Sequence, residues 1–317
     1  MKLIIVLILF STSIFAQKIK LAVLAPEGTS WSNSLKHMAK EIKKETKGKV
    51  NLKIYYGGVA GDESDVLRKI RIGQLNGGFF TGKTLGEIFP DVRIVEVPFT
   101  FHHQREKAWS EVEKNSSFFN KGFLAEGFEN LGFYEIGQVY VVTTKPVKNL
   151  DELKGIKIWA WEGDHLVKAM VDSLGLVSVP LSLPDVLSSL STGIIDAAYA
   201  PATGVLALQW QTRIKYVIDY PVAFSIGALL IDAKIWKKIS DSDQKIVKRL
   251  ANKYIGETNK QTILDNEQSL RIMKEAGIQF IKFPDSDIEK SGPIRADVVK
   301  RVKGKVLSES ALNKIKI

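Results

Sequence analysis

From Asp241 to about Ala276 the chain keeps a helical period almost without interruption, and this run restricts the fold more than any other feature. Ile246, Val247, Leu250, Tyr254, Ile255, Ile263, Leu264, Leu270 and Met273 recur at the spacing that gathers apolar residues on one side of a helix, and Ser240 stands where an N-cap is needed. At 1.5 Å per residue such a helix is on the order of 50 Å long. That exceeds the width of one lobe. Either Gly256 kinks the helix, or it runs across two lobes as a brace. A chain of 317 residues agrees with two lobes, because it is longer than one core usually serves.

The rest of the chain alternates strands and helices. Ile19, Leu21 and Val23 alternate with Lys18, Lys20 and Ala22, then the run from Ala25 to Ser30 breaks the pattern and Ser30 caps a helix carrying Leu35, Met38, Ala39 and Ile42. A second strand is expected at Val50–Tyr56, a turn at Gly57, Gly58 and Gly61, and a further helix from Asp62 to Gly73. A similar series returns later. Strands are expected at Ile136–Thr144, Ile156–Trp161, Val177–Leu181 and Ile194–Tyr199, with helices from Asp164 to Leu174 and from Leu183 to Leu190. This is the order of an α/β layer built on a mainly parallel sheet. Two such runs in one chain point to a ligand held between them.

Composition narrows the function classes. Hydrophobic residues make up 45% and charged residues 25%, an ordinary globular balance. The net charge of +10 is spread along the chain without a block of five or six, so it describes a basic surface and not a nucleic-acid site. With no cysteine, disulfides, thiol catalysis and Cys-ligated zinc are excluded. Lys2, the apolar run Leu3–Phe10 and the exit at Ala16 form a secretory signal, with cleavage expected before Gln17 and a periplasmic mature protein.

Enzyme signatures are largely missing. The chain has no Gly-x-Ser-x-Gly elbow, His-Glu-x-x-His pair, phosphate-binding loop or Gly-x-Gly-x-x-Gly turn. His102 and His103 are adjacent, and neighbouring residues on a strand face opposite ways, so they read as a surface loop and not as a metal pair. Asp241 and Asp243 open the long helix, while Asp285 and Asp287 follow Pro284 in a turn; capping accounts for both pairs. No cofactor is expected. The aromatic residues say more. Trp31, Trp159, Trp161, Tyr199, Trp210 and Phe224 fall at or near the ends of elements, where clefts form in α/β sheets. Lys157, Trp159 and Trp161 share one strand face while Ile156, Ile158 and Ala160 already supply an apolar one, so the tryptophan face is expected to cover the cleft.

Several motifs in order carry a resemblance. They are Gly57-Gly58-Val59-Ala60-Gly61-Asp62-Glu63, Pro98-Phe99-Thr100-Phe101, Thr143-Thr144-Lys145-Pro146, the run Leu150–Ile158, the run Leu190–Ala197, and Trp236–Asp243 leading into the long helix. In this order they make the chain resemble the periplasmic solute-binding subunits of TRAP transporters, the DctP-like family. The resemblance implies a two-lobed α/β periplasmic binding protein fold with hinge strands and a long bridging helix. The expected division is 17–140 plus 223–258 for the first lobe and 141–222 plus 259–317 for the second. It also implies capture of an organic anion, delivery to TRAP membrane permease subunits, and no catalysis. Some similar proteins with apolar clefts work with a periplasmic tetratricopeptide-repeat protein, and that partner stays open here.

One departure from the family bears on the ligand. The resemblance implies an arginine two residues past Lys157 as the partner of a ligand carboxylate; this chain has Trp159 there, and Gln138 at a second polar position. A buried carboxylate without its partner is costly, so the expected ligand is larger, more apolar or ring-bearing. The expected binding residues are Trp31, Glu63, Thr81, Gln138, Lys157, Trp159, Trp161, Tyr199 and Phe224, with the polar head of the ligand on Gln138 or Thr81. Two other readings stay open: a secreted enzyme, such as a glycoside hydrolase using Glu63, Glu162 or Asp164, and a sensor that presents ligand to a membrane receptor.

Overall fold

The computed structural model describes residues 17–315, so the signal expected at residues 1–16 lies outside the described residues. Ten strands form one sheet: β1 (Gln17–Val23), β2 (Val50–Tyr55), β3 (Gly77–Thr81), β4 (Phe128–Thr143), β5 (Lys157–Trp161), β6 (Val177–Leu181), β7 (Ala197–Pro201), β8 (Tyr216–Ile218), β9 (Ala223–Asp232) and β10 (Gln279–Ile281). The order is β2-β1-β3-β9-β4-β7-β5-β6, and β8 pairs with both β4 and β10. β2-β1-β3 and β7-β5-β6 are each parallel, as the strand–helix alternation implies. The antiparallel strands β9 and β4 lie between them.

The molecule is two-lobed because β4 belongs to both halves. Its first part, through Val139, pairs with β9; its last part, Val139–Thr143, pairs with β7, and Val142 and Thr143 also pair with β8. The sequence pattern revealed only the second part, from Ile136 on. Two register shifts against β9, at Asn130/Phe133 and Glu135/Gly137, break the period-2 alternation on which that reading depends.

The long helix runs unbroken from Asp241 to Glu275, through Gly256 and capped by Ser240, and it braces both lobes. Val247, Leu250, Ala251 and Ile255 pack with Ile19, Leu35 and Met38 of the first lobe, whereas Leu270 and Met273 pack with Trp159 and Trp210 of the second. Midway, the helix mends the second irregularity of β4. Asn259 Oδ1 accepts from the Glu135 amide at 3.0 Å, and the Asn266 amide donates to the Ile136 carbonyl at 3.0 Å. Asn266 Oδ1 in turn accepts from the amide of Thr203, at 3.1 Å, on the short helix Ala202–Ala207. Gly137 has φ +126 here, and a Cβ would meet the Asn266 amide at 2.6 Å, so the residue at this position has to be glycine.

Two local expectations change. Thr29, not Ser30, caps the helix Ser30–Glu45, and the Ser30 hydroxyl donates instead to Asp265 on the long helix at 2.5 Å. Asp285 and Asp287 are not in a turn; they open the helix Asp285–Val302, which contains Pro293. A proline inside a helical period reads as a breaker, yet here packing prevails: Ser173 donates to Asp297 at 2.8 Å, and Asp287 accepts from the buried Leu150 amide at 2.7 Å.

The asparagine mend predicts a specific loss. Asn266→Leu leaves the Ile136 carbonyl and the Thr203 amide without their partner, which should cost about 1–3 kcal/mol for each group that water cannot reach. Urea unfolding measures it. A change within about 0.5 kcal/mol, the range of neutral surface substitutions, would mean the mend carries no stability.

Candidate functional site

Two connected cavities occupy the space between the lobes. The inner one has a volume of about 200 Å³ and the outer one about 630 Å³, and they share Leu24, Thr81, Ile136, Leu183, Gly204 and Leu208 as walls. The shared residues come from the ends of β1 and β3, from the middle of β4 and from the loop and helix that follow β6 and β7. Strand ends of both lobes thus converge on one cleft, as in open α/β sheets generally.

Aromatic rings line the inner cavity. β5 places Trp159 and Trp161 on one face, β7 supplies Tyr199 and β9 supplies Phe224. Trp159 stacks on Tyr199 with centroids 4.7 Å apart and an interplanar angle of 15°, and meets Trp210 edge-on at 5.5 Å. Its indole N–H donates to the Leu181 carbonyl at 3.0 Å, which satisfies the one polar atom of a nearly fully buried side chain. The Trp161 indole instead crosses to the first lobe and donates to Asp62 Oδ2 at 2.9 Å. In the outer cavity Trp31 lies edge-on to Tyr134, at 4.6 Å, and to Phe79, at 5.6 Å.

The charged side chains of the cleft mostly answer one another. Arg93, on the 3-10 turn Pro90–Glu96, directs Nη1 and Nη2 to the carboxylate of Asp164, which follows β5, at 3.1 Å. Its Nε lies 2.7 Å from Glu96 Oε2. Burial works against the Arg93 charge, but Asp164 and then Glu96 outweigh it and hold the guanidinium more firmly protonated than usual. Asp164 also caps the helix His165–Ser173, accepting from the amides of Leu166 and Val167 at 3.1 Å. Glu96 accepts from the Ile226 amide at 2.9 Å, and burial raises its pKa. Gly82 makes room for this group: a Cβ there would overlap the Glu96 carboxylate. Lys83 is likewise held, 2.6 Å from Glu87 and bonded to Ser64.

Glu63 is the buried exception. It is 2% exposed, opens the helix Glu63–Arg71 and borders the outer cavity, and no Lys or Arg among the described residues forms an ion pair with it. The Thr81 amide donates to Glu63 Oε1 at 2.9 Å and the Thr81 hydroxyl donates to Oε2 at 3.0 Å. Burial pushes its pKa from the usual 4.5 up to about 7. Glu135, by contrast, is bridged by Arg105 at 2.6 and 2.7 Å.

Comparison with known proteins places this architecture. The family described as bacterial extracellular solute-binding protein, family 7 (DctP), matches residues 21–303. The chain belongs to that family. It is 22% identical over 279 residues to the sialic acid-binding periplasmic protein SiaP of Vibrio cholerae, covering 85% of this chain and 84% of the relative. It is 24% identical over 257 residues to a solute-binding protein of Chromohalobacter salexigens, covering 78% and 70%. Among solved structures, a TRAP periplasmic solute-binding protein of Desulfovibrio salexigens with bound orotic acid superposes with a TM-score of 0.84 at 18% identity, covering 93% of this chain and 96% of that one. One from Haemophilus influenzae with bound L-gulonate gives 0.86 at 19%, covering 94% and 97%. This DctP-family chain therefore has the two-lobed binding-protein fold.

Most of the residues singled out from sequence meet at the cleft. Trp159, Trp161, Tyr199 and Phe224 line the inner cavity, Trp31 and Glu63 the outer, and Thr81 both. Gln138 and Lys157 line neither: Lys157 is exposed at the start of β5, and Gln138 is half-buried in β4 opposite Phe224 of β9, just past the register shift at Glu135/Gly137. The three carboxylates weighed for hydrolysis do not form a free facing pair, since Glu162 is exposed and Asp164 is committed to Arg93 and a helix cap. Sequence reading missed Arg93, Glu96 and Lys83. The Arg93-x-x-Glu96 spacing was the available signal, but i,i+3 pairs of this kind are ordinary on surfaces.

The raised pKa of Glu63 fixes the sign of a pH effect. Between pH 4.5 and about 7 the folded state keeps a proton that the unfolded state releases, so this stabilising contribution falls through that window and is gone above it. Glu63→Gln should therefore gain stability over the parent as pH rises, by up to about 3 kcal/mol between about pH 4.5 and 8. Urea unfolding at both ends of the window reads the difference. A gap that does not change with pH would show Glu63 ionised in the folded state.

Proposed function

We propose that this chain is the ligand-capturing subunit of a TRAP-type secondary transporter, exported to the periplasm, and that it delivers an apolar or ring-bearing small molecule to the membrane permease. The observation that carries the ligand reading is the inner cavity, where four aromatic side chains from both lobes face one space and the two cations on its wall, Arg93 and Lys83, are already held by carboxylates. The binding residues in this reading are Trp31, Glu63, Thr81, Trp159, Trp161, Tyr199 and Phe224. The relatives support the transport role, since the solved structures cited above are TRAP solute-binding proteins with small organic molecules bound.

Capture works by hinge closure. The lobes are taken as residues 17–140 plus 223–258 and 141–222 plus 259–317, joined where β4 passes from β9 to β7. Ligand between the lobes loses apolar contact with water at roughly 25 cal/mol per Å², and stacking on a flat ring adds about 0.5–1.5 kcal/mol per pair. The alkyl and ring surfaces here suit that mode of binding better than they suit a small dianion.

Native mass spectrometry of the periplasmic protein tests the reading directly and should find a co-purified organic molecule of apolar or aromatic character. Trp161 separates the contributions to binding. Trp161→Ala should weaken that ligand by roughly 1–3 kcal/mol through lost apolar contact. Trp161→Phe should keep most of the affinity yet lose the cross-lobe bond to Asp62, and small-angle scattering should then report a more open particle without ligand. Unchanged affinity in both variants, with no compaction on saturation, would count against a ligand site at this wall.

A further inference from the structure

We propose that Asp164 is a specificity-determining residue: its carboxylate occupies the anion subsite of the cleft, so the site refuses carboxylate ligands and admits apolar molecules whose head groups donate hydrogen bonds. The proposal rests on the reading that the interlobe cleft holds the ligand.

The geometry is that of a captured anion. Arg93 belongs to the first lobe and Asp164 to the second, and both line the inner cavity. The contact uses Nη1 and Nη2 on both carboxylate oxygens at 3.1 Å, and the side chains are only 7% and 3% exposed. Such paired recognition is how an arginine holds a carboxylate from any source. Here the carboxylate is tethered to the chain and held in place by the Leu166 and Val167 amides. A free ligand has to displace a partner whose effective concentration is of order millimolar even on a flexible tether.

Nothing else on the walls replaces that cation. Lys83 is committed to Glu87 at 2.6 Å, and Glu96 takes the remaining side of Arg93 at 2.7 Å. The one buried carboxylate left without an ion pair among the described residues is Glu63, which accepts hydrogen bonds from the Thr81 amide and hydroxyl and borders the outer cavity. A ligand carboxylate would therefore meet a neutralised arginine flanked by the Asp164 and Glu96 carboxylates, whereas a donor head meets acceptor oxygens.

The test uses a matched pair of probes, tryptamine and indole-3-acetate, which share a ring and differ in the charge of the head. Calorimetry on the unaltered protein should show tryptamine binding about tenfold or more tightly than indole-3-acetate. Asp164→Ser keeps a good helix cap while removing the carboxylate. In that variant the preference should fall by about tenfold or reverse. Acetate, but not chloride at equal ionic strength, should raise its melting temperature and leave that of the parent unchanged, because acetate restores the charge arrangement around Arg93. A merely structural Asp164 predicts a lower melting temperature with no acetate rescue and no change in preference; either result overturns the proposal. Absence of acetate rescue overturns it even where neither probe binds. A co-purified ligand carrying a carboxylate on Arg93 also overturns it, while leaving the binding-protein reading intact; a cleft that takes up no organic molecule would sink that reading, and acetate rescue would still decide the subsite.

Discussion

The mended irregularity of β4 at Glu135–Gly137 is the constraint on which the rest of the structure depends. A strand shared by two lobes has to change partners, and at the change its backbone groups lose their ladder. Left buried and unpaired, each costs about 1–3 kcal/mol, a large part of the net stability of any domain. The long helix removes that cost with Asn259 and Asn266, which are seven residues apart and so lie on one helix face. The same Asn266 reaches Thr203 in the second lobe. One side chain thereby ties together the hinge strand, the brace and the helix at the cleft wall. Ile136, between the mended groups, is also a wall shared by both cavities, so the position of the irregularity sets the position of the cleft.

Around that cleft the chain keeps charge and apolar surface apart. Burying Arg93, Asp164 and Glu96 is expensive, and an ion pair of this kind is weak evidence for stability. Its effect is on position. In the proposed division Arg93 and Asp164 come from opposite lobes, as do Trp161 and Asp62, so each contact exists only in one relative placement of the lobes. Satisfying these charges internally leaves ring faces and alkyl groups as most of the remaining lining of the inner cavity. Polar side chains gather at the outer cavity, among them Thr203, Thr262, Asp265 and Gln268, and Glu63 and Thr81 there are joined to each other.

The layer order and the brace were legible in the sequence because they rest on periodicity. Val177–Leu181 needed only its apolar pattern, and Ser240 with the run after it marked the long helix; between a kink at Gly256 and a continuous brace, the structure decided for the brace. Elements whose pattern is broken were not legible: the first half of β4, interrupted by its register shifts, and the helix Asp285–Val302, which contains a proline. The site divided along a similar line. Aromatic residues at element ends pointed to the cleft because large rings there need a surface to cover. The ion set did not, because Arg93 and Asp164 are 71 residues apart and only the fold brings them together. Gln138 and Lys157 were placed by resemblance of position; the register shift at Glu135/Gly137 upsets any alternation by which Gln138 could have been placed, and Lys157 lies exposed at the start of β5.

The contacts between lobes also limit how a ligand can act. A ligand shifts an open–closed balance only by the difference between its affinities for the two states. In a cleft closed by a ligand carboxylate, the cross-lobe ion pair exists only with ligand present, and closure reports occupancy almost completely. Here Arg93–Asp164 and Trp161–Asp62 are formed by the chain itself, and in the proposed hinge reading they favour the closed arrangement with or without ligand. What distinguishes the filled cleft from the empty one is then mainly apolar: rings that bury a ligand, or rings that face water in the inner cavity. Differential affinity has to come from the fit of that aromatic wall. In the proposed reading, the shape of Trp159, Trp161, Tyr199 and Phe224 around the ligand therefore carries the discrimination that charge carries in a cleft with an open arginine.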